Sequence, residues 1–136
     1  MSKPVVEDLF TFSGRRNRQS YILFILLTVF ITLVTNLLVA ILAVGESVHT
    51  TMGVILIIVV SIPLSVAGFA VGAQRCRDFG WSGWAICLTL IPLVGLLFGF
   101  SLLVISGTKG ENRYGPDPLG RENQDLDTIS TTPDAN

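Results

Sequence analysis

The sequence predicts an all-α fold: an integral membrane bundle of three transmembrane helices preceded by an interfacial N-terminal segment. Three observations carry that prediction. Half of the 136 residues are apolar and only 14% are charged, against roughly 25% charged in an ordinary soluble domain. The charges are also segregated. Between Gln19 and Gln74 the only charged residue is Glu46, and none lies between Gly80 and Thr108. Finally, the uncharged stretches are continuous rather than alternating, which excludes a membrane barrel. Helices are left, because lipid offers no partner to an unpaired backbone group.

The first apolar block runs from Tyr21 to Val44, with Thr28, Thr32, Thr35 and Asn36 as its polar members. At ~1.5 Å per residue its 24 residues reach about 36 Å, enough to cross a ~30 Å hydrocarbon core with some tilt. Its apolar run exceeds a signal-peptide core and twenty residues precede it, so an uncleaved anchor is expected. The second block runs from Met52 to Ala73 and contains Pro63. The third runs from Trp84 to Ser106 and contains Pro92. Each proline removes a backbone donor and is expected to kink its span. The chain thus divides into a basic, aromatic segment (1–20), a membrane domain (21–121) and an acidic tail (122–136) too poor in apolar residues to fold.

Orientation follows from Lys and Arg. Lys3, Arg15, Arg16 and Arg18 precede the first block, the loop at 45–51 has none, Arg75 and Arg77 lie in the second loop, and Lys109, Arg113 and Arg121 follow the third block. Three simple crossings with the N-terminus inside put six cations in the cytoplasm and three outside. That orientation is favoured, although it exports a basic tail. The alternative is a third block bent at Pro92 and Gly95 into a re-entrant hairpin, which returns the tail to the cytoplasm.

Three polar segments flank the blocks. Phe10, Phe12 and Tyr21 bracket Arg15, Arg16 and Arg18, the pattern of an interfacial anchor. Arginine also suits phosphate, since its planar fork donates two hydrogen bonds at once. Arg15, Arg18, Arg75, Arg77, Asn112 and Arg113 are therefore the candidate contacts for an anionic head group. In the second loop Asp78 is expected to pair with an arginine, an unpaired charge near lipid being costly. Trp81 and Trp84 are expected at the interface. Gly107 to Pro118 is dense in glycine and proline and specifies a series of turns.

These segments resemble a family of small bacterial membrane proteins known as domain of unknown function 805. Its aromatic–Gly–Arg–x–x–Arg entry to the first helix is matched by Phe12, Gly14, Arg15, Arg18 and Tyr21. Its basic loop is matched by Arg75, Cys76, Arg77, Asp78, Gly80, Ser82, Gly83 and Trp84. Arg77 stands where the family usually carries His, which argues against proton chemistry there. Ile91, Pro92 and Gly95 match its Ile-Pro-x-x-Gly core. Gly107, Gly110, Asn112, Tyr114, Gly115, Asp117 and Pro118 match its closing motif. The resemblance implies a bacterial inner-membrane location and no established activity.

Catalytic machinery is not apparent. His49 is the sole histidine, in the short loop with Glu46, and reads as solvated. Cys76 and Cys87 have neither metal-ligand nor disulfide spacing. No nucleophile–base pair or phosphate-binding glycine loop occurs, so no enzyme, metal or cofactor is expected. The net charge of −1 implies no nucleic-acid partner. Gly68 and Gly72, and Gly95 and Gly99, stand four apart and are the predicted helix-packing positions. The expected role is interaction: a small non-enzymatic accessory protein, its partners membrane lipid and another membrane protein or itself. An anionic-lipid binder and an oligomeric channel or exporter are the rival readings.

Overall fold

The computed structural model describes residues 7–42 and 47–120. Lys3, Glu46, Arg121 and the acidic tail (122–136), on which some expectations fell, lie outside the described residues. Among the described residues the regular structure is helical throughout: α1 (Arg18–Leu42), α2 (Ser47–Asp78), a 3₁₀ segment (Gly83–Leu90) and α3 (Pro92–Val104).

Helix α1 starts where its sequence supplies a cap. The Asn17 side-chain oxygen accepts from the Ser20 backbone N–H at 2.8 Å, satisfying one of the donors a helix start leaves open. Helix α2 stops at a glycine-centred cap. Gly80, at φ +81°, donates to Arg77 O at 3.0 Å, and Trp81 donates to Cys76 O at 3.0 Å. A left-handed residue there is cheap only for glycine. Pro63 lies inside α2, which is continuous through it.

The two long helices face lipid. The most apolar stretch of α1 is only 6% buried within the protein and that of α2 only 17%. Helices so apolar and so bare cannot be the core of a water-soluble fold. They run antiparallel, with the backbone of Arg16 donating to Gln74 O at 3.3 Å where α1 begins and α2 ends. The core collects at that end: Tyr21, Phe24, Val71, Cys76, Ile86, Phe98 and Leu102 pack together.

The third apolar block is not the single kinked helix expected over 84–106; it is broken in two at Pro92. Pro92 has no backbone donor and pushes the residue before it out of helical conformation. Ile91 is extended at φ −92°, ψ 115°, and α3 opens on Pro92, where a missing N–H costs nothing. The eight residues before the break reach about 16 Å at ~2.0 Å each. The thirteen after it reach about 20 Å at ~1.5 Å each. Neither alone spans ~30 Å. The block also begins and ends at the same end of the bundle. Gly83 lies against the Arg77 guanidinium, and Leu102 O accepts from Arg75 Nε at 3.0 Å. Its turn, Leu90 to Leu93, is apolar and exposed.

The predicted packing glycines separate into two kinds. A Cβ at Gly72 would collide with Ile86, and one at Gly95 would stand 2.8 Å from the Thr89 carbonyl carbon. Gly68 and Gly99 have nothing within 4 Å of a Cβ.

Candidate functional site

The three polar segments, far apart in sequence, converge on Asp78 at the last turn of α2. Arg15 donates to Asp78 Oδ1 from Nε at 3.3 Å and from Nη2 at 3.2 Å. Arg75, one turn back on the same helix, donates from Nη1 to Asp78 Oδ2. The paired side chains are 0–3% exposed. One carboxylate thus serves two buried guanidiniums.

Backbone carbonyls complete the balance. Arg15 Nη1 donates to Gly110 O at 2.8 Å and Gly115 O at 3.1 Å, and Nη2 donates to Thr108 O at 2.7 Å. Arg75 reaches Leu102 O from Nε and Ile105 O from Nη2. These are carbonyls at and beyond the C-terminus of α3, where a helix leaves acceptors unpaired and favours a cation. The segment after α3 is fastened in turn. Thr108 N–H donates to Asp78 O at 2.9 Å, and Asn112 Nδ2 donates to Arg77 O at 3.0 Å. Gly107 passes so close to Asp78 that a Cβ there would meet its carboxylate, 2.7 Å from Oδ1. Asn112 and Gly115 exchange two backbone bonds at 3.1 and 2.9 Å and close a tight turn, which presents Tyr114 to Arg77 and Arg113.

A second buried arginine lies beside the first. Arg16 Nε donates to Gln74 Oε1 at 3.0 Å and Nη1 to Ser20 Oγ at 2.8 Å, while Nη2 reaches Glu7 O. Gln74 Nε2 holds Asp8 O at 2.8 Å and Thr11 O at 2.5 Å, which folds the N-terminal segment onto α2. Burial pulls the Arg16 guanidinium below its ordinary range while Asp8 and Glu7 pull it back up. Arginine remains charged through such shifts.

The candidate head-group contacts therefore occupy two environments. Arg15 and Arg75 are sealed inside, every nitrogen of both partnered. Arg18 is exposed and donates to Val104 O at 3.4 Å, and Arg113 is exposed and donates to Gly80 O at 2.9 Å. Asn112 is half-buried and holds the turn. Arg77 is half-buried, but its Nη1 is inaccessible and has no hydrogen-bond partner among the described residues. Gln74, Arg16, Asn17 and Ser20 were not among the candidates. A helical-face reading of α2 could have found Gln74, which sits one turn before Asp78 and next to Arg75.

Two bare apolar helices, an apolar hairpin folded back beside them, and an internal ion cluster closing one end define a small helical integral membrane protein. The comparisons make the class specific. The model of the family described as "Protein of unknown function (DUF805)" matches residues 9–116, and the chain belongs to that family. It is 36% identical over 118 residues to the inner membrane protein YhaH of Escherichia coli strain K12, covering 84% of this chain and 92% of that protein. It is 30% identical over 115 residues to the inner membrane protein YhaI of the same strain, covering 84% and 91%. No solved structure matches. Several of the residues that carry the family resemblance, among them Arg15, Asp78, Gly107, Asn112 and Gly115, build the ion cluster and the turn fastened to it.

Proposed function

We propose that this chain is a non-enzymatic accessory protein of the inner membrane, with two crossings, a half-depth hairpin and both ends in the cytoplasm, acting by lateral association with a membrane protein partner. Charge supports the topology. With the hairpin re-entrant, all nine Lys and Arg residues flank one face and none lies in the opposite loop. Three crossings would divide them six to three. A cytoplasm-dependent fluorescent reporter fused after Gly120 is expected to be bright, and an alkaline phosphatase fusion there inactive. The reverse pattern would restore a simple third crossing.

A single observation carries the association. The hairpin reaches only part of the way along α1 and α2, and beyond it the two long helices form an uncovered groove of about 240 Å³. Among apolar residues its lining carries polar groups where the surrounding medium is hydrocarbon: Thr28, Thr32, Thr35 and Asn36 from α1, Ser61 and Ser65 from α2. Among the described residues Thr28 Oγ1 is buried without a partner, and Asn36 is exposed, its amide donating to Thr32 O at 2.8 Å. Such groups are expensive against lipid and favourable against another helix that returns their hydrogen bonds. A photo-crosslinking residue at position 32 in native membranes is expected to give a reproducible protein adduct, either with a second copy or with another membrane protein. The same residue at position 33, where Leu33 is 64% exposed, should give lipid. Lipid adducts alone at both positions would end the proposal.

A further inference from the structure

On a different face, α2 and the 3₁₀ segment enclose a second groove, of about 500 Å³. Val66, Phe69, Ala73 and Arg77 follow one another along its α2 wall, and Trp84 and Cys87 stand on the other. The wall from Val66 to Arg77 is about 16 Å long at ~1.5 Å per residue. It is apolar in the membrane interior and cationic at the polar end, the profile of an amphiphile lying parallel to the helix. Among the described residues the cation lacks a counter-ion. The neighbouring carboxylate, Asp78, is taken by Arg15 and Arg75, and Arg77 has no ion pair among the described residues. Its Nη1 is buried with no acceptor, and its guanidinium rests on Gly83, where a Cβ would stand 2.8 Å from Nη2. A cation bordering hydrocarbon without a counter-charge is costly, and an anion beside the guanidinium lowers that cost.

We propose that this groove binds an anionic glycerophospholipid of the surrounding leaflet, its phosphate on Arg77 and an acyl chain along Val66 and Phe69. The charge selects the head group and the apolar wall selects an acyl chain. The inference is independent of the lateral association, because it uses neither α1 nor the Thr/Ser/Asn groove. Trp84, 83% exposed at the groove, provides the readout. The full chain carrying Trp81→Phe, which leaves Trp84 as the only tryptophan, is reconstituted in phosphatidylcholine bilayers. Equal fractions of acyl-brominated phosphatidylglycerol or acyl-brominated phosphatidylcholine are then added. Quenching by phosphatidylglycerol is expected to exceed that by phosphatidylcholine about tenfold in apparent affinity, the lower end of what one charge-assisted hydrogen bond contributes. Arg77→Gln should bring the ratio close to one, and Arg18→Gln, at a cation outside the groove, should leave it unchanged. Cys87→Phe, which fills the groove without altering charge, should weaken quenching by both lipids; should Arg77→Gln not fold, this variant and the parent ratio decide. The proposal fails if the parent shows no preference, if Arg18→Gln and Arg77→Gln lose it equally, or if neither lipid quenches Trp84 because protein covers it.

Discussion

Asp78→Ala is expected to open the polar end of the bundle and destabilise the protein by about 3–5 kcal/mol, the range found when one partner of a buried ion cluster is removed. The size reflects the groups left behind. Arg15 and Arg75 would stay buried with their carbonyls but without the carboxylate both pair with, and charge without a paired counter-charge is the costly state in a medium of low dielectric. Asp78→Asn keeps the shape and one acceptor oxygen but not the charge, so an intermediate loss is expected. Cys76 provides a local readout, since it is fully buried beside the cluster while Cys87 is exposed. In a Cys87→Ser background, maleimide labelling of Cys76 should be slow in the parent and fast in Asp78→Ala. A stable Asp78→Ala protein with an unreactive Cys76 would mean that the arginines are held by their carbonyls alone.

The second large effect is expected at Gly95. A Cβ there would stand 2.8 Å from the Thr89 carbonyl carbon and 2.9 Å from its Cα. Both are backbone atoms, so no rotamer change relieves the contact, and the two arms of the hairpin must separate. Gly95→Ala should cost about 1–3 kcal/mol, the usual penalty of overpacking. Gly99→Ala, four residues along the same helix with nothing within 4 Å, should be neutral or stabilising by up to about 1 kcal/mol, because alanine suits a helix better than glycine. The midpoints of unfolding in sodium dodecyl sulfate separate the two. Equal midpoints would show that the 3₁₀ segment and α3 do not meet at this point.

That contrast shows how far spacing can be read. The small pairs Gly68/Gly72 and Gly95/Gly99 look equivalent in sequence, yet one member of each pair meets a neighbour and the other faces open space. Two helices approach most closely at one point along their length, and a four-residue interval cannot say where that point falls. The two long helices were legible because each is a run of apolar residues bounded by polar ones. Expected over 21–44 and 52–73, they form over Arg18–Leu42 and Ser47–Asp78. The extensions beside the ion cluster hold polar residues that find partners there: Ser20 in the neighbouring Asn17 and Arg16, Arg75 and Asp78 in each other, and Gln74 in the distant Asp8 and Thr11. The expected Asp78–arginine pairing was also legible, since a charge bordering lipid needs a partner. Its second partner, Arg15, lies sixty-three residues away, beyond the reach of any local pattern.

By itself the sequence determined the solvent of this protein and the number of its apolar blocks. Transfer from water to hydrocarbon is close to a sum over residues, so it can be read from composition along the chain. Where the third block goes was decided only by the tertiary structure. Pro92 breaks the helix but does not set the course of the chain beyond it. That course is fixed by Arg75 gripping the carbonyls of Leu102 and Ile105, and by Arg15 gripping those of Thr108, Gly110 and Gly115. Such long-range pairings form only when several distant segments meet at once, and no local stretch of sequence encodes them.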